Sequence, residues 1–194
     1  MKKKKNLVNL VLMALLTALM VVLQLLPIIR VGPFLITFLT IPVAIGAMLL
    51  GSGGGAFLGA VFGVTMAIVG IATGEGAVYL STSPWRYFVL CILPRILVGF
   101  LAGVIFTWVG KIEKAKIFNY FLTGFLTPLL NTVLFLSALF LLYSNTVLAG
   151  TPFFVFIGSA LTFNAVIEMI VGLVITPPIG LALNAAKRNI VRAG

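Results

Sequence analysis

Apolar residues in this chain do not alternate with polar ones; they come in long runs separated by short polar or glycine-rich breaks. A helix needs about 20 mostly apolar residues to cross the hydrocarbon layer of a membrane. Six runs meet or approach that length: Leu7 to Leu26, Phe34 to Leu50, Ala56 to Ala72, Trp85 to Val109, Ile117 to Tyr143 and Phe153 to Leu183. The pattern predicts an all-α membrane protein, a bundle of six transmembrane helices. Pro27 stops the first helix. The cluster Gly51-Ser52-Gly53-Gly54-Gly55 supplies a tight turn between the second and third, and Pro177-Pro178 marks a place for the sixth to bend or break. Gly55, Gly59 and Gly63 stand four residues apart on one face of the third helix, a spacing that lets helix backbones approach closely in lipid. The first run follows four lysines, as a secretory signal does. Its length of about 20 apolar residues and the absence of a polar domain behind it make it a retained helix instead.

Composition agrees. Hydrophobic residues make up 62% of the 194 and charged residues 8%, against about 25% charged in a soluble domain, so lipid must be the solvent for much of the surface. The length suits a single domain over residues 1–194. A net charge of +10 would suggest nucleic acid in a soluble protein, but these charges follow membrane topology. With six helices, Lys2 to Lys5, Lys111, Lys114, Lys116, Lys187, Arg188 and Arg192 fall on one side, and Arg30 and Arg86 on the other. The bias of basic residues toward the inner side places both termini in the cytoplasm. The longer polar loops, Thr73 to Pro84 and Ser144 to Pro152, then face outward and mark the binding mouth.

The polar residues inside the runs carry the chemistry. Arg95 lies about ten residues into the fourth helix, where an unpaired charge costs roughly 2.5–3.5 kcal/mol, so it faces an interior or a cavity. Its planar fork suits a carboxylate on a ligand; the structural alternative is pairing with Glu168. Asn164 and Glu168, four apart, form a polar stripe on the sixth helix. Thr127 and Asn131 do the same on the fifth. Three polar clusters at similar depth point to one shared cavity, with Glu168 either holding Arg95 or meeting a ligand hydroxyl. Tyr79, Trp85 and Tyr87, near the outer end, read either as an interfacial aromatic belt or as a lid. Cys91 is alone in an apolar stretch, and one cysteine makes neither a disulfide within the chain nor a metal cluster. The chain has no histidine, no aspartate and no phosphate-binding loop, which argues against hydrolytic, metal-dependent or ATP-hydrolysing chemistry. The sequence calls for no cofactor. A binding protein is expected, not an enzyme.

Three stretches resemble one family. Ala14 and Ala18 fit an alanine-x-x-x-alanine pattern in the first helix. Phe38 to Val64 combines a proline in the second helix, a glycine-rich turn and a Gly-x-x-x-Gly third helix, and Gly172 to Leu183 carries prolines near its exit. Together they resemble the S components of energy-coupling factor transporters, the vitamin-binding membrane subunits of bacteria, and among them most closely the pantothenate-specific type. The resemblance implies a multi-pass protein of the bacterial plasma membrane. It would bind a water-soluble vitamin from outside and join a transmembrane T subunit through the Ala14/Ala18 face. Two cytoplasmic ATPases would then drive release. Other B vitamins, such as folate, riboflavin, niacin or pyridoxine, are alternative substrates, and a stand-alone carrier using Glu168 as a proton carrier is an alternative mechanism.

Overall fold

The structure is a computed structural model and describes residues 2–25, 29–31, 34–36, 38–112, 116–150, 152 and 163–192. Helix α1 spans Lys2–Leu25 and is followed by two short antiparallel strands, β1 (Ile29–Val31) and β2 (Phe34–Ile36), with Arg30 opposite Leu35. Then come α2 (Thr40–Ala72), the short α3 (Ala77–Thr82), α4 (Pro84–Val109), α5 (Lys116–Tyr143) and α6 (Phe163–Arg192). Five of these helices are long and apolar enough to cross a membrane: α1, α2, α4, α5 and α6.

The fourth and fifth predicted helices match α4 and α5 to within a residue at either end. The second does not begin at Phe34. That residue opens β2, and the helix starts at Thr40, because Ile29 to Val31 provides a strand partner just upstream of a segment rich in β-favouring residues. The outer loop from Thr73 contains a helical turn, α3. The sixth helix does not end at Leu183: α6 runs through Pro177 and Pro178 and on to Arg192. The predicted start of the sixth helix, residues 153–162, lies outside the described residues.

Helix α2 has 33 residues and would be about 50 Å long if straight, yet Leu39 before it and Phe62 far along it share one core cluster. The break is at Gly51, with φ 79° and ψ −170°, a backbone region almost reserved for glycine. There the helix folds back on itself. A Cβ added at Gly55 would lie 3.0 Å from the Cβ of Ala47, and Gly46 meets the side chain of Leu58. The reversal takes one glycine, where the sequence suggested five; Ser52 onward is already helical. The first arm is buried on nearly every side, from Pro42 to Leu49, as expected of a helix that is apolar all round. Leu16 and Met20 of α1 close its core cluster.

At the break the helix leaves carbonyls without partners. The Lys187 ammonium of α6 donates to one of them, Leu49 O. Gly51→Ala is expected to lower stability by about 1–3 kcal/mol, the cost of that backbone region for a residue with a side chain. No clash contributes, because the space around Gly51 is open. Thermal unfolding in detergent checks this; an alanine variant as stable as the parent would show that the reversal does not need glycine.

The second arm of α2 lies antiparallel against α4, backbone to backbone. A Cβ at Gly55 would strike Gly99 O, one at Gly59 would strike Arg95 O, and one at Gly63 would come within 2.7 Å of Cys91 O. Gly99 and Gly103 return the fit from the α4 side. The glycine spacing read from the sequence is thus the α2–α4 interface. It holds the middle of α4, including Arg95, at fixed depth in the bundle. Helix α5 packs between α4 and α6, and meets α6 where Gly124 lies against Gly172.

Candidate functional site

Arg95 is 3% exposed and points into the bundle. Its surroundings follow from the residue before it. Pro94 has no N–H, so the carbonyl four residues back, Leu90 O, has no helical donor. Arg95 Nη1 donates to that carbonyl at 2.9 Å. The guanidinium lies over the ring of Phe135 from α5, 4.2 Å from its centroid, and 5.6 Å from that of Phe62 in α2. These are attractive cation–π geometries, stronger away from water. Arg95 Nε is buried without a hydrogen-bond partner among the described residues. Glu168 of α6, itself buried, interacts electrostatically with Arg95.

Helix α5 presents a polar stripe at four-residue intervals: Asn119, Thr123, Thr127 and Asn131, continued by Phe135, the ring under Arg95. Asn131 is half-buried, and its side-chain oxygen is buried with no hydrogen-bond partner among the described residues. An unsatisfied buried acceptor costs about 1–3 kcal/mol. One turn from the Arg95–Phe135 contact, it stands ready for a donor. Thr127 is fully buried, and its hydroxyl donates to Thr123 O at 2.7 Å, so that proton is already committed to its own helix. Asn164 lies in the first turn of α6; its side chain is outside the described residues.

Tyr79 sits on α3 at the edge of this region. Its ring meets Tyr143 edge-on at 5.1 Å, and Tyr143 OH donates to Tyr79 O at 3.1 Å. Tyr143 forms a buried cluster with Leu90, whose carbonyl holds Arg95, and Leu139, and Tyr79 and Phe135 pack against that cluster. The short helix is thus pinned over the arginine end of the bundle by aromatic contacts. Trp85 does not join it. Trp85 is 61% exposed, about 15 Å of helix from Arg95, and has the Arg86 guanidinium 5.6 Å from its ring. An exposed tryptophan beside a cation at a helix end suits a membrane interface.

The sequence reading missed Phe62, Phe135 and Tyr143. An aromatic in an apolar helix gives no sign of whether it faces lipid or a cation. The Pro94-Arg95 pair did carry a signal, because a proline frees a carbonyl that an adjacent donor can take.

On α1, Leu16 and Met20 face inward, while Ala14 and Ala18 are exposed. With Leu10, Met13, Thr17 and Phe57 the two alanines line a shallow groove of about 390 Å³, open on the outside of the bundle.

The family described as "ECF transporter, substrate-specific component" matches residues 8–180. A protein of Lactococcus lactis subsp. cremoris (strain MG1363), named Pantothenic acid transporter PanT, is 31% identical over 202 aligned residues, covering 96% of this chain and 99% of the relative. A Leuconostoc mesenteroides protein named Pantothenate transporter PanT is 31% identical over 156 residues, covering 74% of this chain and 72% of its own length.

Proposed function

Because this chain belongs to the family of substrate-specific components of energy-coupling factor transporters, and is thus a multi-pass membrane transport protein, we propose that it captures pantothenate with the Arg95 region as its binding site. Pantothenate is a small anion with a carboxylate, an amide and hydroxyls. The observation that carries the reading is a buried arginine with one donor tied to Leu90 O and Nε unpartnered, beside an unpartnered amide oxygen on Asn131. Arg95 receives the carboxylate, Asn131 accepts from a hydroxyl or amide N–H, and Glu168 balances the arginine's charge and orients it. Asn164, one turn before Glu168, extends the polar face, Thr127 supports Asn131, and Tyr79 covers the entrance. The names of the two relatives support the choice of vitamin.

In this reading the two arms of α2 count as separate passes, giving six crossings. The end that gathers Lys116, Lys187 and Arg188 faces the cytoplasm by the positive-inside bias. Binding is then from the outside, at the Tyr79 end. The exposed Ala14/Ala18 groove meets the transmembrane T subunit, and cytoplasmic ATPases drive release, as the family implies; the chain itself catalyses nothing.

Calorimetric titration of the detergent-purified chain with pantothenate and a panel of other B vitamins tests this. Saturable pantothenate binding without a partner protein is expected. Binding of another vitamin alone would keep the family and overturn the substrate. Uptake by the isolated chain in vesicles, driven by a proton gradient, would favour the stand-alone carrier. Asn131→Leu should weaken binding about three- to tenfold, the value of one lost hydrogen bond, while leaving the ligand-free protein as stable or more so. Unchanged affinity with reduced stability would make Asn131 a helix-packing residue instead.

A further inference from the structure

A second polar constellation lies at the opposite end of α5, where the ends of α4, α5 and α6 enclose a cavity of about 480 Å³. Lys116 and Arg188 stand at its mouth, both exposed. Its wall carries Asn119, Tyr120 and Asn184. Asn119 is 1% exposed; its amide nitrogen donates to Phe106 O at 2.7 Å, and its side-chain oxygen has no partner among the described residues. Asn184 Nδ2 donates to the Tyr120 hydroxyl at 2.5 Å, so that hydroxyl accepts there and keeps its own proton to give. The first turn of α5 begins at Lys116, and the helix dipole adds partial positive charge at the same place.

Two cations, a helix N-terminus and a hydroxyl donor call for an anion, and the buried amide oxygen of Asn119 calls for a donor on the same ligand. The rim identifies the source. Ile117, 65% exposed, lines the cavity, and Phe118, 60% exposed, follows it on α5. Trp108, at the end of α4, is 72% exposed, and a tryptophan at a helix end marks the headgroup level of a bilayer. The site is therefore a charged and hydroxyl-binding pocket at headgroup depth with a lipid-facing apolar edge. We infer that this cavity holds the headgroup of an anionic, hydroxyl-bearing phospholipid, its phosphodiester against Lys116 and Arg188 and its headgroup hydroxyl donating toward Asn119, with an acyl chain lying along Ile117.

The test uses the full chain in detergent and native mass spectrometry. It is titrated with short-chain phosphatidylglycerol, with phosphatidylcholine of the same chain length, and with inorganic phosphate. One phosphatidylglycerol is expected to be retained at concentrations where phosphatidylcholine is not. The variant Lys116→Gln with Arg188→Gln should lose that preference by at least about tenfold, since each basic residue near an anionic headgroup contributes roughly fivefold. Both residues are exposed and distant from Arg95, so melting temperature and pantothenate affinity should not change. Equal retention of the two lipids, or a phosphatidylglycerol preference that survives the double substitution, overturns the inference. Displacement of the lipid by millimolar inorganic phosphate would also overturn it, making this a site for a soluble anion.

Discussion

Replacing Arg95 with glutamine should reduce pantothenate affinity by about two orders of magnitude or more, the largest binding loss of any single substitution in the chain. The side chain is 3% exposed and unites four elements: it bonds to Leu90 O in α4, lies on Phe135 of α5 and near Phe62 of α2, and interacts with Glu168 of α6. Truncating a buried, hydrogen-bonded charge at a binding site costs about 2–5 kcal/mol, and the same removal takes away the cation that attracts Glu168. Part of the effect will therefore be structural. Arg95→Lys separates the two contributions. Lysine keeps the charge beside Glu168 but lacks the planar fork and the delocalised face that stacks on Phe135. It should preserve the melting temperature better than glutamine does and still lose most of the affinity. Titration calorimetry with melting curves for both variants decides; a lysine variant that binds as tightly as the parent would show that the site reads charge and not geometry.

Gly59 is expected to tolerate an added methyl group poorly. A Cβ there meets Arg95 O and lies 2.8 Å from Arg95 C. These are backbone atoms that no rotamer change can move aside. Overpacking of a core costs typically 1–3 kcal/mol, and Gly59→Leu should exceed that and prevent the helices from closing. The insertion would also displace the stretch of α4 that carries the arginine, so Gly59→Ala should weaken both stability and ligand binding although Gly59 is offered to no ligand. Gly53→Ala is the control. That glycine is also helical, but its Cβ would meet nothing within 4 Å, and alanine's better helix propensity should leave the protein unchanged or more stable by up to about 1 kcal/mol. Equal melting temperatures for the alanine variants at 53 and 59 would show that the α2–α4 contact does not depend on backbone proximity.

Most of the architecture was legible because lipid imposes a simple length rule. The limits of α4 and α5 follow from where their apolar runs end. Arg95 was conspicuous as a charge within such a run, and the Gly55/Gly59/Gly63 spacing announced a close helix contact before its partner was known. What escaped was whatever depends on three-dimensional neighbours. Phe34 to Ile36 is as apolar as any helix start, and only the pairing with Ile29 to Val31 makes it a strand. The sequence suggested a five-residue glycine turn, whereas one positive-φ residue reverses the chain. Trp85 and Phe135 are both aromatic, yet one is 61% exposed and the other faces a guanidinium; with 16 phenylalanines in the chain, residue type alone could not choose between them. Thr127 differs in what its side chain still offers. Its helix-mate Asn131 keeps an open oxygen, but a threonine can return its proton to its own backbone, and Thr127 does.

Pro94 gives the arrangement a further meaning. A proline inside a helix is ordinarily a defect, a missing rung in the ladder of main-chain bonds. In α4 the carbonyl left over by that defect is the one that accepts the hydrogen bond from Arg95. A guanidinium has five N–H groups, and anchoring one of them limits how the plane can swing, so the remaining donors keep a fixed bearing before any ligand arrives. On the proposed assignment of the site, selectivity is thus partly written in a residue with no functional group at all, and a redesign of the pocket that kept every polar side chain but repaired the helix would leave its arginine without a compass.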